Sequence, residues 1–328
     1  MTTPTVPTVP VSAPGPADAP PPVRRPSRRG RVLTIVGAVL AGVCVVQLAQ
    51  QGLAELTATT ETTTESVPAA KVVEIVADGP VTVLATTGDT VEVERRTRAL
   101  WRTPDSSTEQ GDDRVVVHHT CGWRFIGTCR TSTSVRLPEG TDLVVRTSDG
   151  DVDAEGAVAS ATVRTSSGHV TVVGASGAVT ARSSDGAVSV SDVGGAVQAR
   201  TSSGRVEIIG AGGAVAARSS DGDVMVRDAG GGVEARTSSG RVEVDGAGGT
   251  TSARSSDGAV LVAGVDGDVS AVTSSGRVTV HGTGAPVALD MSTSSGRQTV
   301  DAPTDPNASR TVTIRSSDGD VSYLGPRG

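Results

Sequence analysis

Arg200-Thr-Ser-Ser-Gly-Arg-Val-Glu-Ile208 returns thirty-six residues later as Arg236-Thr-Ser-Ser-Gly-Arg-Val-Glu-Val244. A looser form of the same phrase occurs every eighteen residues, and a glycine marks each copy: Gly150, Gly168, Gly186, Gly204, Gly222, Gly240, Gly258 and Gly276. A fixed period of this length is typical of solenoids, whose repeats bury their apolar faces against their neighbours. The sequence therefore predicts an all-β protein, a parallel β-solenoid (β-helix) of about ten 18-residue rungs over residues 146–328.

Each rung contains two short stretches in which apolar and polar residues alternate. Alternation places Val224 and Val226 inside the solenoid, with Val215 and Ala217 facing them, while Arg218 points outward. Two glycine-containing corners separate the two strands. At the Ser-Ser-Asp-Gly corner the glycine is expected to supply a positive backbone φ.

Rungs with an acidic corner alternate with rungs that carry arginine after the glycine, so the full period is thirty-six residues. This stagger predicts ion pairs between neighbouring rungs: Asp185–Arg205, Asp221–Arg241 and Asp257–Arg277. Exposed ion pairs contribute only about 0–1 kcal/mol each. Their expected role is therefore to fix the register, since a slip of one rung would bring like charges together.

A column of seven arginines is predicted on one outward face. Its members share one position in the repeat: Arg146, Arg164, Arg182, Arg200, Arg218, Arg236 and Arg254. At a spacing of about 4.8 Å the guanidinium groups repel one another unless neighbouring columns offset their charge. Two interpretations stay open, a surface that binds a polyanion such as a wall polymer, and a structural ladder that its neighbours neutralise.

The first seventy residues predict a membrane anchor. Residues 1–30 are Pro- and Arg-rich and are expected to be a disordered cytoplasmic tail. Residues 31–50 contain the apolar run Val32–Ala49, which is long enough for one transmembrane helix. The arginines before it place the N-terminus in the cytoplasm and the solenoid outside. A cleaved signal peptide is the alternative interpretation. Residues 51–70 are Thr- and Glu-rich and are expected to form a stalk.

Residues 71–145 show short alternating stretches separated by turn residues, which predicts a β-strand cap over the first rung. Cys121 and Cys129 flank a loop in this cap. Outside the membrane two nearby thiols favour a disulfide, because a metal site would need more ligands than the adjacent His118 and His119. We therefore interpret the two histidines as ordinary strand residues.

The eighteen-residue spacing fails after Gly276, because the next marker glycines are Gly296 and Gly319. The extra residues, such as Asp301–Asn307, are expected to bulge out as a loop. Tyr323 stands where earlier rungs have an inward valine, and we expect it to plug the C-terminal end.

Composition excludes several classes of function. The net charge is −7, and the first fifty residues carry five Arg against one Asp, so the remainder is strongly acidic and argues against nucleic-acid binding. The regular rungs have no insertions and no carboxylate pair that stands out from the repeat. We predict no catalytic, cofactor-binding or metal-binding residues, and no enzyme.

Three features carry a resemblance to a known family: the stretches Val91–Thr97 and Val135–Gly150, and the serial Arg-Thr-Ser-Ser-Gly-x-Val units that follow them. Over residues 71–328 the chain resembles the bacterial "putative adhesin" family. The resemblance implies a β-solenoid domain of unknown function, often membrane-anchored in actinobacteria, with an envelope location and no established catalytic residues.

The first functional hypothesis is a non-catalytic cell-surface binding or structural module, in adhesin-like contact with the cell wall or another polyanionic polymer. The alternative is an envelope-stress or signalling accessory protein that acts through protein partners. Both place the chain in the cell membrane as a single-pass protein. Open ends and strand edges also allow self-association.

Overall fold

The structure is a computed structural model that describes residues 59–100, 104–122 and 128–327. These residues form strands and turns, and none of the secondary structure in these ranges is helical. No helix in this part of the chain has the length and apolar character to cross a membrane. The predicted cytoplasmic tail, residues 1–30, and the predicted transmembrane helix, residues 31–50, lie outside the described residues.

Twenty-seven strands follow one another in the described ranges. Those of the cap are β1 Thr59–Pro68, β2 Val72–Ala77, β3 Val81–Thr86, β4 Thr90–Leu100, β5 Asp105–Gln110, β6 Arg114–Thr120 and β7 Thr128–Pro138. Those of the first rungs are β8 Asp142–Thr147, β9 Val152–Glu155, β10 Ser160–Arg164, β11 Val170–Val173, β12 Val179–Arg182, β13 Val188–Val193, β14 Val197–Arg200, β15 Val206–Ala211, β16 Val215–Arg218 and β17 Val224–Ala229. The remainder are β18 Val233–Arg236, β19 Val242–Ala247, β20 Thr251–Arg254, β21 Val260–Val265, β22 Val269–Val272, β23 Val278–His281, β24 Ala288–Thr293, β25 Gln298–Asp301, β26 Thr311–Ser316 and β27 Val321–Leu324.

The strands build two long sheets. Sheet I has fourteen strands in the order β1-β4-β7-β3-β9-β11-β13-β15-β17-β19-β21-β23-β27-β25. Sheet II has thirteen, in the order β24-β26-β22-β20-β18-β16-β14-β12-β10-β8-β2-β6-β5. Each rung from β8–β9 onward gives one strand to each sheet, and neighbouring rungs pair in parallel. These strands make ten rungs, so the predicted parallel solenoid is confirmed in its architecture.

The core lies between the sheets and is made almost entirely of valine and alanine. The four residues predicted to point inward are each at most 2% exposed: Val224, Val226, Val215 and Ala217. The side chain of Arg218, which was predicted to point outward, is 46% exposed. The predicted alternation is therefore confirmed. Because strands of the regular rungs pair with the strands eighteen residues away, like residues stack in the inward columns, as Val197, Val215 and Val233 do.

The marker glycines serve close packing and not an unusual φ. Gly222 has no positive φ, so that part of the prediction was wrong. A Cβ placed on Gly222 would lie 1.9 Å from the carbonyl oxygen of Gly204 in the rung below, so any larger residue would force the rungs apart. Positive φ occurs in a different column, which holds Gly210 and also the non-glycine residues Asp192 and Asp228.

A buried hydroxyl completes each corner. The Ser219 hydroxyl donates to the carbonyl of Gly204 (2.9 Å) and accepts the N–H of Gly222 (3.0 Å). The same two bonds recur at Thr165, Ser183, Thr201, Thr237, Ser255, Thr293 and Ser316. Buried backbone groups need such partners, which explains why Ser or Thr follows the rung arginine.

The three predicted corner ion pairs do not form among the described residues, and that prediction was wrong. Strands pair at an offset of eighteen residues, whereas the predicted pairs are separated by twenty. The neighbour of Arg205 in the next rung is therefore Asp223, and their charged groups lie 3.9 Å apart. Asp185 lies in a different column, two residues earlier in the repeat, together with Ser203 and Asp221.

The last two rungs stack out of chain order. Rung β26–β27 pairs with β22–β23 on one side and with β24–β25 on the other, so it is inserted between two rungs that precede it in the sequence. Tyr323 pairs with Val280 in an inward column and is completely buried. The predicted terminal plug was therefore wrong, because rung β24–β25 forms the end.

The charges of neighbouring rungs agree with the position of the inserted rung. Asp320 lies in the column between Arg277 and Arg297, with its carboxylate 3.7 Å from the Arg297 guanidinium. A hydrogen bond from the Arg297 backbone N–H, followed by the charges of Arg297 and Arg277, lowers the pKa of Asp320. Stacking in chain order would instead set Arg297 beside Arg277. The thirty-six-residue alternation therefore continues in space although it breaks in sequence.

The cap adds two parallel rungs, β2–β3 and β6–β7, and closes them with the antiparallel strands β1, β4 and β5. Residues 59–68 were expected to be part of the stalk, but they form β1 along the edge of sheet I. Threonine is β-branched and suits a strand, and β4 supplies the partner.

Candidate functional site

The seven predicted arginines form one continuous row along sheet II. Each pairs in register with the next, from Arg146 beside Arg164 to Arg236 beside Arg254. Paired strands are about 4.8 Å apart, so the row carries a guanidinium group at each step of that length. The structure thus brings together all the residues of the predicted surface ladder.

Carboxylates offset the charge in two parts of the row. At its start Arg146 forms an ion pair with Glu74, which is almost buried. Farther along, Glu234 binds Arg218 at 2.5 Å and Arg236 at 3.1 Å. The pKa of Glu234 is lowered, mainly because its carboxylate accepts a hydrogen bond from Arg218. These arginines are therefore already engaged by the protein itself.

Between these parts lies a stretch without such compensation, which we call the open arginine segment: Arg164, Arg182 and Arg200. Among the described residues no carboxylate lies within 4.0 Å of any of the three guanidinium groups. Arg182 donates to the side-chain oxygen of Gln198 at 3.0 Å, a contact that does not use the two N–H donors of the Gln198 amide. The three side chains span about 10 Å along the stack.

A shallow groove of about 560 Å³ lies on the outer face of sheet II, and Arg236 is the arginine of the row that its lining includes. Its floor is formed by small residues that precede the inward column: Ala178, Ala196, Ala214, Gly232 and Thr250. One outward column separates this floor from the arginine row: Thr180, Gln198, Ala216, Glu234 and Ser252. The sequence analysis did not identify this groove, although the recurring small residue before each inward valine was its signal.

The arrangement offers hydrogen-bond donors and positive charge along a line. A guanidinium group binds carboxylate or phosphate through two parallel N–H donors. No group of three or more His, Cys, Asp or Glu side chains that could hold a metal ion occurs in the described part of the chain. The arginine row therefore has the donors and the charge to bind repeated anionic groups.

The predicted cysteine pair lies in the cap and not on the arginine row. Cys121 and Cys129 are joined by a disulfide with Cα atoms 6.0 Å apart. The two neighbouring histidines lie in strand β6, as expected, and His119 is completely buried. Its ring nitrogens contact the hydroxyls of Thr97 and Thr133, each at 2.9 Å.

Burial lowers the pKa of His119 to about 4, and the charge of Arg95 also lowers it. His119 is therefore neutral at physiological pH and acts as a polar part of the cap core. Arg95 is itself 6% exposed and forms an ion pair with Glu65 at 3.0 Å. This ion pair therefore connects strand β1, which carries Glu65, to strand β4 of the cap.

Comparison with known proteins gives a family and a set of distant structures. The Toastrack DUF4097 family model matches residues 72–253. A "putative lipid binding protein" from Parabacteroides distasonis ATCC 8503 is 13% identical, with 80% of this chain and 96% of that chain covered and a TM-score of 0.37. A "putative adhesin" from Bacteroides fragilis NCTC 9343 is 10% identical, with 81% and 97% covered and a TM-score of 0.32. No curated protein is significantly similar to the chain.

Proposed function

The chain belongs to the Toastrack DUF4097 family, and we propose that it is a non-catalytic surface module that binds an anionic polymer along the open arginine segment. Residues 31–50 would anchor it as a single-pass membrane protein, with its N-terminus in the cytoplasm and its solenoid outside. The arginines that precede the apolar run, and the lack of Lys or Arg until Lys71, support this orientation.

One observation carries the proposal. Among the described residues no carboxylate lies within 4.0 Å of Arg164, Arg182 or Arg200, three consecutive members of the column, whereas Glu74 pairs with Arg146 and Glu234 pairs with Arg218 and Arg236. Arg254, at the far end of the column, donates to the Ser252 hydroxyl. Like charges about 4.8 Å apart cost free energy in the isolated protein. An anionic ligand would relieve that repulsion, so the segment favours binding in a way that a neutralised ladder does not.

The groove supports a linear ligand. Its floor of alanine, glycine and threonine gives an extended chain a place to lie along the stack. Gln198, which accepts a hydrogen bond from Arg182 of the open arginine segment, is part of its lining, so a chain in the groove would place anionic groups one column away from that segment. Since the side chains are exposed, we expect the affinity to fall as salt is added, because screening shortens the range of the attraction to about 10 Å at 0.1 M.

The test is co-sedimentation of the protein with isolated cell walls at low and high salt. The double variant Arg182→Ser/Arg200→Ser removes two charges from the open segment, and we expect binding to weaken about tenfold. Arg205→Ser/Arg241→Ser is the matched control, since it removes the same charge from a corner that lies off the arginine row. Binding that is absent at both salt concentrations, or equally reduced in both variants, would contradict the proposal.

A further inference from the structure

Both sheets end in the same rung at the C-terminal side of the stack. Strand β24 pairs only with β26, and β25 pairs only with β27. In the described part of the chain neither has a strand on its other side. The rung therefore presents two rows of unpaired backbone N–H and C=O groups, one in each sheet, and such edges readily accept another strand.

The same rung leaves the interior partly uncovered. Val300 pairs with the completely buried Tyr323, yet Val300 itself is 49% exposed. Leu289 and Met291 contact the core from the other sheet and are only half-buried. The terminal rung therefore exposes apolar residues of the inward columns between two unpaired strand edges. A rung in the middle of the stack would present the same kind of surface if its neighbour were removed.

The following segment covers only one corner of this surface. The Asp305 N–H donates to the Val287 carbonyl at 3.0 Å, and Ala302 packs against the core. A cleft of about 400 Å³ remains between Val300 and Pro306. Most of both edge strands stays free of this cover.

We propose that this end binds the same end of a second copy of the chain, through antiparallel pairing of the two terminal rungs. A single extended peptide could pair with only one of the two edges. A second copy brings both edges at the separation of the two sheets, so it alone satisfies sheet I and sheet II together. The two-fold arrangement is the common form of self-association.

Charge selects this arrangement over stacking of one copy's C-terminal end on another's N-terminal end. When β25 pairs antiparallel with itself about Thr299, Arg297, the residue before the strand, lies beside Asp301, the last residue of the partner's strand. The N-terminal edges instead carry four acids, Glu61, Glu65, Asp105 and Glu109. These would meet the acids of β24 and β25.

The experiment measures the mass of the full-length chain in detergent by sedimentation across a wide range of protein concentration. We expect a dimer that Val300→Lys weakens about tenfold or more, because two lysines would meet at the interface. Leu84→Lys is the matched control, since Leu84 is an exposed apolar residue (39%) on strand β3, away from the end. It should dimerise like the unaltered chain.

A second measurement locates the contact. In a Cys44→Ser background, Thr299→Cys places a thiol on the terminal rung and Thr62→Cys places one on the exposed edge at the other end. A short bismaleimide should link two chains through position 299 and not through position 62. A chain that stays monomeric, a dimer that Val300→Lys leaves intact, or equal linking at both positions would overturn the proposal. None of these outcomes depends on polymer binding.

Discussion

The two ends of the solenoid solve the problem of a terminal rung in different ways. At the N-terminal end the chain reverses direction, so that antiparallel strands β1, β4 and β5 close both sheets. At the C-terminal end every pairing stays parallel, and the chain inserts its last rung between two earlier ones. The first end is closed by strands unlike those of the repeat, while the second remains a repeat with its edges exposed.

The difference between the two ends reflects how a repeat protein stabilises its terminal rungs. In a solenoid each rung is stabilised by its nearest neighbours, so a terminal rung lacks half of its contacts. The cap compensates with a buried polar cluster around His119 and with a disulfide. The other end uses only charge order and core residues, which leaves its outermost rung available for a partner.

The largest expected effect comes from breaking the inserted rung. A Cβ on Gly319 would lie 1.9 Å from the carbonyl oxygen of Gly276, so Gly319→Ala should lower the free energy of unfolding by about 3 kcal/mol or more. Gly88→Ala is the control, because nothing lies within 4 Å of a Cβ there. Urea unfolding measures both, and limited proteolysis should cut the C-terminal rungs first. Equal stability of the two variants would contradict the close-packing argument.

Acid should weaken the cap before it weakens the C-terminal end. The pKa of His119 is about 4 when folded and 6.5 when unfolded, so above pH 6.5 both states are neutral and the residue contributes nothing. As the pH falls from 6.5 to 4, the unfolded state takes up the proton, and about 3 kcal/mol of stability is lost.

Thermal unfolding of the unaltered chain and of His119→Gln between pH 7 and pH 4 measures this effect. The variant should lose most of the pH dependence in that window, even if it is less stable at pH 7. Hydrogen exchange should show the loss in the cap strands. An unchanged slope in His119→Gln would show that other groups cause the dependence.

The smallest expected effect lies at the C-terminal end. Among the described residues the buried Tyr323 hydroxyl has no hydrogen-bond partner, and burial raises the pKa of Tyr323. Tyr323→Phe removes a group that costs free energy when it is unsatisfied, so the free energy of unfolding should rise by about 1 kcal/mol. Thr251→Val tests the same effect in the middle of the stack, where the buried Thr251 hydroxyl likewise has no partner in the part of the chain that the structure describes. A loss of stability in Tyr323→Phe would indicate a partner for the hydroxyl.

The sequence was sufficient for the architecture because each rung needs only its neighbours. The spacing of the marker glycines fixed the offset of eighteen residues, and that offset placed all seven arginines in one row. It could not separate two reasons for glycine, since a positive φ and a close backbone contact select the same residue. Gly222 belongs to the second case.

The order of the last rungs could not be predicted from spacing, because it involves contacts between rungs that are not consecutive in the chain. Asp320 separates Arg277 from Arg297, and only the stacked arrangement shows which neighbours need separating. Likewise, the open arginine segment depends on where Glu74 and Glu234 lie relative to the row. Glu74 lies in the cap, far from its partner Arg146 in sequence, so the repeat alone could not reveal that pairing.

The inserted rung also sets the order in which the chain can be completed during synthesis. Residues 288–301 leave the ribosome before residues 311–324, yet they are the outer neighbours of those later residues. Without residues 311–324, pairing of β25 with β23 in chain order would bring Arg297 against Arg277. The native end therefore closes only after the later segment has been made, and a prematurely shortened chain carries an end with mismatched charge.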